Sequence, residues 1–258
     1  MKIERSCEIV SKKRMGDAVY MVLEAGNMVR TSFKAPGQFV HIKCGNEFLL
    51  RRPISVCSCQ EDNPEDLLSI VFEVRGAGTA WLSEREEGDT VDVLGLLGNG
   101  FDMKTDGRYL LVGGGIGVPP MRGCGQFSAG RSTAILGFRS KEKAILLDCF
   151  EDECAKVMVA TDDGSMGRRG FVDALVRQEL ERDSGYDAVL ACGPKPMLKS
   201  VADVAAEFAV PCQVSMEERM GCGVGACLVC AVPMRDGTMR HVCKDGPVFN
   251  AEEVDWDA

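Results

Sequence analysis

Along the first hundred residues the apolar positions come in short runs. CEIVSKKR, AVYMVLEAG, GQFVHIKC, ISVCSC, LLSIVFEVR and DTVDVLG each carry β-branched and apolar side chains in part alternation, with Gly, Pro, Asn and Asp between them. That is the pattern of strands joined by turns. Several short strands at this spacing predict an antiparallel barrel or sandwich. Beyond residue 101 the periodicity changes. RYLLVGGGIGVPPM reads as an apolar strand, a glycine turn and a proline-opened helix. STAILGFRS, KVMVATDDG and DAVLACGP read as three more buried strands, and FVDALVRQELER and KPMLKSVADVAAEF as helices. Strands alternating with helices predict a parallel, doubly wound α/β sheet. LGLLGNGF, residues 94–101, is rich in glycine and reads as the link between the two regions. The chain is therefore expected to be multidomain: an antiparallel β-barrel over 1–100, a doubly wound α/β domain over 101–210, and a small C-terminal domain over 211–258.

The C-terminal region carries the most specific chemistry. GCGVGACLVC and the later HVCKDGPVF place Cys222, Cys227, Cys230 and Cys243 at C-x4-C-x2-C-x12-C. That is the ligand spacing of plant-type 2Fe-2S clusters, where a tight loop presents three thiolates and a distant one closes the cage. Gly221, Gly223 and Gly225 allow turns that a β-carbon would block, and they expose backbone N–H groups to sulfur. Zinc is the rival ligand, since four cysteines suit it equally well. Structural zinc sites are usually built from two separated cysteine pairs, whereas here three cysteines crowd one loop. A zinc-stabilised binding module, with its glycine turns purely structural, is the reading that follows from zinc. An iron–sulfur cluster carries one electron at a time, so a two-electron donor needs a carrier that splits the pair, and a flavin does this.

Two segments of the strand-rich region suit a flavin dinucleotide. In Arg51-Arg52-Pro53-Ile54-Ser55 a guanidinium can neutralise a phosphate, Pro53 fixes the chain direction, and a hydroxyl or backbone N–H can reach a ring heteroatom. In Arg75-Gly76-Ala77-Gly78-Thr79 a strand ends in a glycine turn, and a short helix is expected to start with Thr79 as its N-cap, leaving N–H groups for a pyrophosphate. Taken singly, each segment is equally readable as a structural turn. In the α/β region the turn is G-x-G-x-x-P, with Gly115, Gly117 and Pro120: the glycines permit close backbone approach and the proline presets the first helical turn. Cys192-Gly193-Pro194 ends another strand. Both motifs fall beyond the carboxyl ends of strands, where open α/β sheets bind ligands. Cys192 also reads simply as a buried strand-end cysteine.

Composition narrows the partners. A net charge of −9 argues against nucleic acid or an anionic membrane as the main partner. No apolar run is long enough to span a membrane and MKIERSCEIV lacks a signal-peptide core, so a cytoplasmic location is expected. Of 13 cysteines, those outside the four-cysteine motif read as small buried hydrophobes, Cys57 and Cys59 among them as alternating strand residues. The two histidines, His41 and His241, are too few for histidine-based hydrolysis to be expected, and each reads as a surface or hydrogen-bonding residue.

Taken in order, R-P-x-S and then G-x-G-T resemble the ferredoxin-reductase family of flavoproteins. The resemblance implies that Arg52, Pro53, Ile54 and Ser55 line FAD, that Val71, Phe72 and Glu73 run beside it, and that Gly78 and Thr79 lie at its phosphates. A basic residue often stands at the position of Glu73 in that family, and Arg75 is a candidate to supply the charge. The resemblance also implies a nicotinamide dinucleotide at Gly115, Gly117, Pro120, Cys192 and Gly193, with Cys192 near the nicotinamide. Gly137-Phe138-Arg139-Ser140-Lys141 is basic and has no ribose-binding acid, which leaves NADH and NADPH both open. More narrowly, LRRPIS, LGNGF, GGGIGVPP, TDDGS, CGPKPML, EERMGCG and CKDGPVF occur together as in the electron-transfer subunits of heteromeric bacterial dihydroorotate dehydrogenase, and the likeness covers nearly the whole chain. It implies FAD, NAD and a 2Fe-2S cluster on Cys222, Cys227, Cys230 and Cys243. It also implies a separate FMN-containing catalytic subunit that interconverts dihydroorotate and orotate in pyrimidine biosynthesis, assembled as a heterotetramer of two copies of each. Sister reductases of a hydrogenase or of a ferredoxin-linked transhydrogenase share the three domains and differ in partner; EERMGCG favours the orotate system. The small-residue helix MRGCGQFSAG is a departure from the family pattern.

Overall fold

The computed structural model describes residues 3–60 and 66–258. All six runs of the first region form strands: β1 (Ile3–Met15), β2 (Ala18–Glu24), β3 (Phe39–Lys43), β4 (Arg52–Gln60), β5 (Leu67–Glu73) and β6 (Thr90–Leu97). They close into a barrel in the order β1-β2-β5-β4-β3-β6, antiparallel at every pairing. Alternation fills it. Val40 and Ile42, Ile54 and Val56, and Leu68, Ile70 and Phe72 point inward to one apolar core. Two short helices decorate the barrel, α1 (Met28–Ser32) and α2 (Ala77–Ser83). The expected link does not begin at residue 94, because Leu94–Leu97 complete β6. The ladder to β1 and β3 outweighs the local glycine there.

The second region is the α/β sheet the periodicity implies. It contains β7 (Tyr109–Gly114), α3 (Val118–Phe127), β8 (Thr133–Phe138), α4 (Leu147–Glu153), β9 (Lys156–Thr161), β10 (Arg168–Arg169), α5 (Val172–Arg182), β11 (Ala188–Cys192), α6 (Lys195–Glu207) and β12 (Cys212–Ser215). The C-terminal stretch adds a small pair, β13 (Ala231–Pro233) with β14 (Met239–His241), and then β15 (Val248–Asn250). Sheet order is β10-β9-β8-β7-β11-β12-β15, parallel except that β15 runs antiparallel to β12. The cysteine-bearing stretch is thus stitched to the edge of the α/β sheet. Cys230, Val242, Cys243 and Phe249 share one apolar core with Val189 and Val214 of the sheet and with Phe39 and Leu97 of the barrel.

A further core joins barrel to sheet, with Ala18, Cys57 and Val71 against Met121, Cys124, Leu136 and Phe150. Here the small residues of α3 find their reason. A β-carbon on Gly123 would stand 3.3 Å from the Cys57 carbonyl oxygen and from Pro36 Cβ, and one on Gly125 would stand 3.3 Å from Cys154 Sγ. Larger side chains would push the helix off β4.

Candidate redox site

The two arginines of the R-R-P-x-S segment have different tasks. Arg51 is tied to the barrel: Nη1 donates to the carbonyls of His41 (3.2 Å) and Asp92 (3.1 Å) and to Asp92 Oδ1 (3.0 Å), and Nη2 pairs with Glu4. Arg52 turns instead to the other motif. Its guanidinium donates to the Leu50 carbonyl, lies over the Phe48 ring at 5.3 Å, and packs so close to Gly78 that a β-carbon there would meet Nε at 2.4 Å. The strand motif and the glycine-turn motif, 26 residues apart in sequence, therefore meet at one barrel mouth.

Strand parity sorts the rest. Ile54 and Phe72 point into the barrel core, at 6% and 4% exposure, so anything outside the barrel meets their backbone alone. Ser55 and Pro53 face outward, opposite Phe39 and His41 on β3. Val71 points outward into the barrel–sheet core. Glu73 accepts a 2.9 Å ion pair from Arg75 Nε, so the charge expected to compensate for Glu73 is held by Glu73 itself. The expected N-cap is corrected: α2 starts after Gly76, and Thr79 lies three residues on. Its hydroxyl oxygen accepts the N–H groups of Arg75 (3.0 Å) and Gly76 (3.2 Å). Extended backbone at Gly76 lets the helix begin one turn earlier than a Thr cap would allow.

The α/β turn and the second strand end also meet. A β-carbon on Gly117 would stand 2.4 Å from the Cys192 carbonyl oxygen and 2.7 Å from Gly193 N. Gly115 is exposed at φ +54°, with open space where its β-carbon would be. Pro120 is buried in the first turn of α3. Cys192 is buried at the end of β11, and burial pushes its thiol up to about 12, against the Ser215 hydroxyl, which lowers it.

The four cysteines of the C-terminal motif come together as two pairs. Cys222 N–H donates to Cys227 Sγ and Cys227 N–H to Cys222 Sγ, both at 3.4 Å; Cys243 N–H donates to Cys230 Sγ at 3.4 Å. Val224 (3.4 Å) and Ala226 (3.3 Å) also donate to Cys222 Sγ, and Gly225 (3.1 Å) to Cys243 Sγ. Backbone amides aimed at sulfur suit thiolates, and thiolates are what iron binds. Burial, the largest influence on Cys222, raises its thiol. The amides of Val224, Cys227 and Ala226 outweigh it and bring the thiol down to about 6. Burial and then neighbouring Cys230 push Cys243 up to about 12. Among the described residues no group of three or more His, Cys, Asp or Glu side chains is gathered as around a single metal ion. Two thiol pairs fit a two-iron cluster better than they fit one tetrahedral zinc.

His41 differs most from expectation. It is not a surface residue, and its ring is not hydrogen-bonded. It is fully buried, and neither ring nitrogen has a partner. Its Nδ1 would lie 2.6 Å from a β-carbon on Gly223. No sequence motif marks it; its outward parity on β3, beside the R-P-x-S strand, is the signal that finds it. His241 is half-buried, and its backbone N–H donates to Asp245 Oδ2 at 2.8 Å.

Residues 217–255 match the iron-sulfur cluster binding domain of dihydroorotate dehydrogenase B. The chain is 40% identical over 264 residues to the dihydroorotate dehydrogenase B (NAD(+)) electron transfer subunit of Geobacillus sp., covering 98% of this chain and 99% of that one. The same-named subunit of Geobacillus kaustophilus is 42% identical, with 95% and 96% covered. A solved structure of an NADH-dependent reduced ferredoxin-NADP oxidoreductase, reported for flavin-based electron bifurcation, superposes with TM-score 0.85 at 36% identity. That match covers 97% of this chain and 90% of the other.

Proposed function

The chain belongs to the family of dihydroorotate dehydrogenase B electron-transfer subunits, and from that premise we propose that it carries electrons between NAD(H) and the FMN of a dihydroorotate-oxidising catalytic subunit, assembled as two copies of each in the cytoplasm. Bound here, FAD would supply the link between two-electron hydride chemistry at a nicotinamide and one-electron chemistry at a 2Fe-2S cluster. The protein's own residues position them. Arg52, with Gly78 and Thr79, neutralises and cradles the pyrophosphate at the barrel mouth. Pro53, Ile54 and Ser55 present backbone and hydroxyl groups to the flavin ring, with Val71, Phe72 and Glu73 along its flank. Gly115, Gly117 and Pro120 carry the nicotinamide dinucleotide, with Cys192 and Gly193 beside its reactive end. Cys192 is held as a neutral thiol, so it supplies bulk and no charge there. Cys222, Cys227, Cys230 and Cys243 hold the cluster.

The observation that carries this reading is the pairing of four thiols under six backbone N–H groups, on a loop whose Gly223 lies against His41 of β3, the strand paired with the R-P-x-S strand β4. Cys227 is exposed and is followed by Leu228 and Val229 at 61% and 56% exposure, which supports this edge as the exit toward the partner. The likeness to the ferredoxin-NADP oxidoreductase structure favours a second reading, a subunit serving a ferredoxin-linked transhydrogenase. Co-purification with untagged neighbouring subunits, followed by assay of dihydroorotate-dependent NADH formation, separates the two. Activity with an FMN-bearing partner is the expected result. Transhydrogenase subunits with no dihydroorotate-linked turnover would overturn it. Cys227→Ser is expected to abolish delivery to the partner and leave NADH reduction of the flavin intact; equal loss of both half-reactions in a folded variant would contradict this order of carriers.

A further inference from the structure

The outer face of β3 lies between two sites. Val40 and Ile42 fill the barrel, while Phe39 and His41 point the other way. Phe39 pairs with Ser55 and His41 with Pro53, so both stand beside the R-P-x-S residues. Phe39 enters the same core as Cys230 and Cys243. His41 meets the cysteine loop itself, its ring lying against buried Gly223, next to Cys222. Gly223 takes φ +68°, and a β-carbon there would overlap Nδ1 at 2.6 Å. Ring and glycine are therefore fitted to one another.

The ring is also polar where an apolar one would fill the space. His41 has 0% exposure, and neither Nδ1 nor Nε2 is hydrogen-bonded. An unsatisfied buried polar group is destabilising, and such groups in native proteins call for a reason. Burial, with Arg51 and Arg52 beside it, holds the imidazole pKa down at about 4, so the ring is neutral and keeps one N–H donor and one acceptor.

We propose that His41 is a positioning residue of the electron path: it seats the cysteine loop against the flavin strands and turns a ring N–H toward the cluster, raising its reduction potential. The inference rests on the cluster assignment to Cys222, Cys227, Cys230 and Cys243. An N–H donor beside the sulfurs stabilises the more negative reduced state, and such hydrogen bonds are among the main determinants of cluster potential.

The test uses the full chain, purified anaerobically with flavin and cluster in place, as wild type, His41→Leu and His41→Gln. Leucine fills space without a donor; glutamine keeps an N–H. Iron and acid-labile sulfide are measured first, then the electron paramagnetic resonance of the reduced cluster and its midpoint potential. In His41→Leu the potential is expected to fall, the g-values to shift, and flavin-to-cluster transfer to slow at least tenfold, while NADH reduces the flavin at the wild-type rate. His41→Gln is expected to lie between the two. Wild-type g-values and potential in a cluster-bearing His41→Leu protein would overturn the proposal. If the leucine variant fails to hold its cluster, His41→Met, which also lacks a donor, decides in its place: a lowered potential with shifted g-values supports the role, and wild-type values overturn it. Absence of labile sulfide from the wild type would overturn the cluster assignment, and this inference with it.

Discussion

Two glycine-rich loops, Gly113–Gly117 and Gly221–Gly225, read much alike in the sequence and behave differently in the fold. In the first, buried Gly117 and Gly113 make room for neighbouring backbone: Gly117 admits the Cys192 carbonyl, and Gly113 admits Val118, whose Cα would lie 2.9 Å from a β-carbon, while Gly114 admits the Met197 side chain. Exposed Gly115 is left with free space above it. The loop is a close-packed floor with an open top, which suits an extended ligand lying across it. In the second, amides turn inward to sulfur, Gly225 N–H onto Cys243 Sγ among them, and buried Gly223 admits a side chain, His41. That loop is a cage with its own walls. Glycine content alone does not distinguish floor from cage; the direction of the N–H groups does.

Substitutions that add one methyl group sharpen the contrast, beginning with the largest expected effect. Gly223→Ala combines a left-handed backbone, costing about 1–2 kcal/mol for a residue with a β-carbon, with overlap on His41, costing about 1–3 kcal/mol. It is expected to lose most of its cluster, measured as iron and sulfide per chain, while FAD absorbance and NADH-to-flavin reduction persist. Gly117→Ala meets only the overlap, a 2.4 Å approach to a carbonyl that cannot swing aside, costing about 1–3 kcal/mol. Here the opposite loss is expected: NADH reduction of the flavin falls at least tenfold in stopped flow, and cluster content stays at the wild-type level. Both variants losing the same function would break the distinction.

Acid sensitivity is expected from neither loop but from Glu179, which is 1% exposed beneath the α/β sheet. Burial, the largest influence, raises its carboxyl; contacts from Arg182, Lys156 (2.7 Å) and Tyr186 (2.7 Å) outweigh it and lower it to about 2. A carboxylate depressed in the fold stabilises above its unfolded value of 4.5 and loses that stability as pH falls toward 2. Glu179→Gln is expected to lower stability at neutral pH by about 1–3 kcal/mol and to flatten the acid limb, read by circular dichroism during denaturant titration at several pH values. An unchanged slope between pH 4.5 and 2 would remove Glu179 from this role. The smallest effect belongs to Gly115→Ala. Only the φ of +54° opposes it, so a loss of about 1 kcal/mol is expected with cluster content untouched; a collapse as large as that of Gly117→Ala would mean that the top of the turn is not open.

Much of this was legible in the chain because its signals are local. The six barrel strands alternate, the parallel strands are continuous apolar runs between glycine turns, and the four cysteines are spaced as ligands. What escaped reading depends on contacts distant in sequence or on absent local cues. α4 follows Leu146 at φ +62°, a left-handed entry without a polar cap, so no start signal precedes LDCFEDE. Leu94–Leu97 joined β6 because β1 and β3 pair with it, against the pull of nearby glycines. Thr79 was recognised as a capping hydroxyl but placed one turn late, because extended Gly76 needs no side chain to open the helix. His41 had no motif at all. Its parity on β3 could be counted, but the glycine that meets it stands 182 residues away, and only the packing of the C-terminal stretch against the barrel brings the two together.

Two thiol pairs at the barrel seam are proposed to hold a two-iron cluster beside a flavin. The direct measurement is metal, labile-sulfide and flavin analysis of the anaerobically purified wild-type protein, with the reduced sample examined by electron paramagnetic resonance. About two irons and two sulfides with one FAD per chain, and a single-spin signal on reduction by NADH, are expected. One zinc per chain with no labile sulfide would contradict the account.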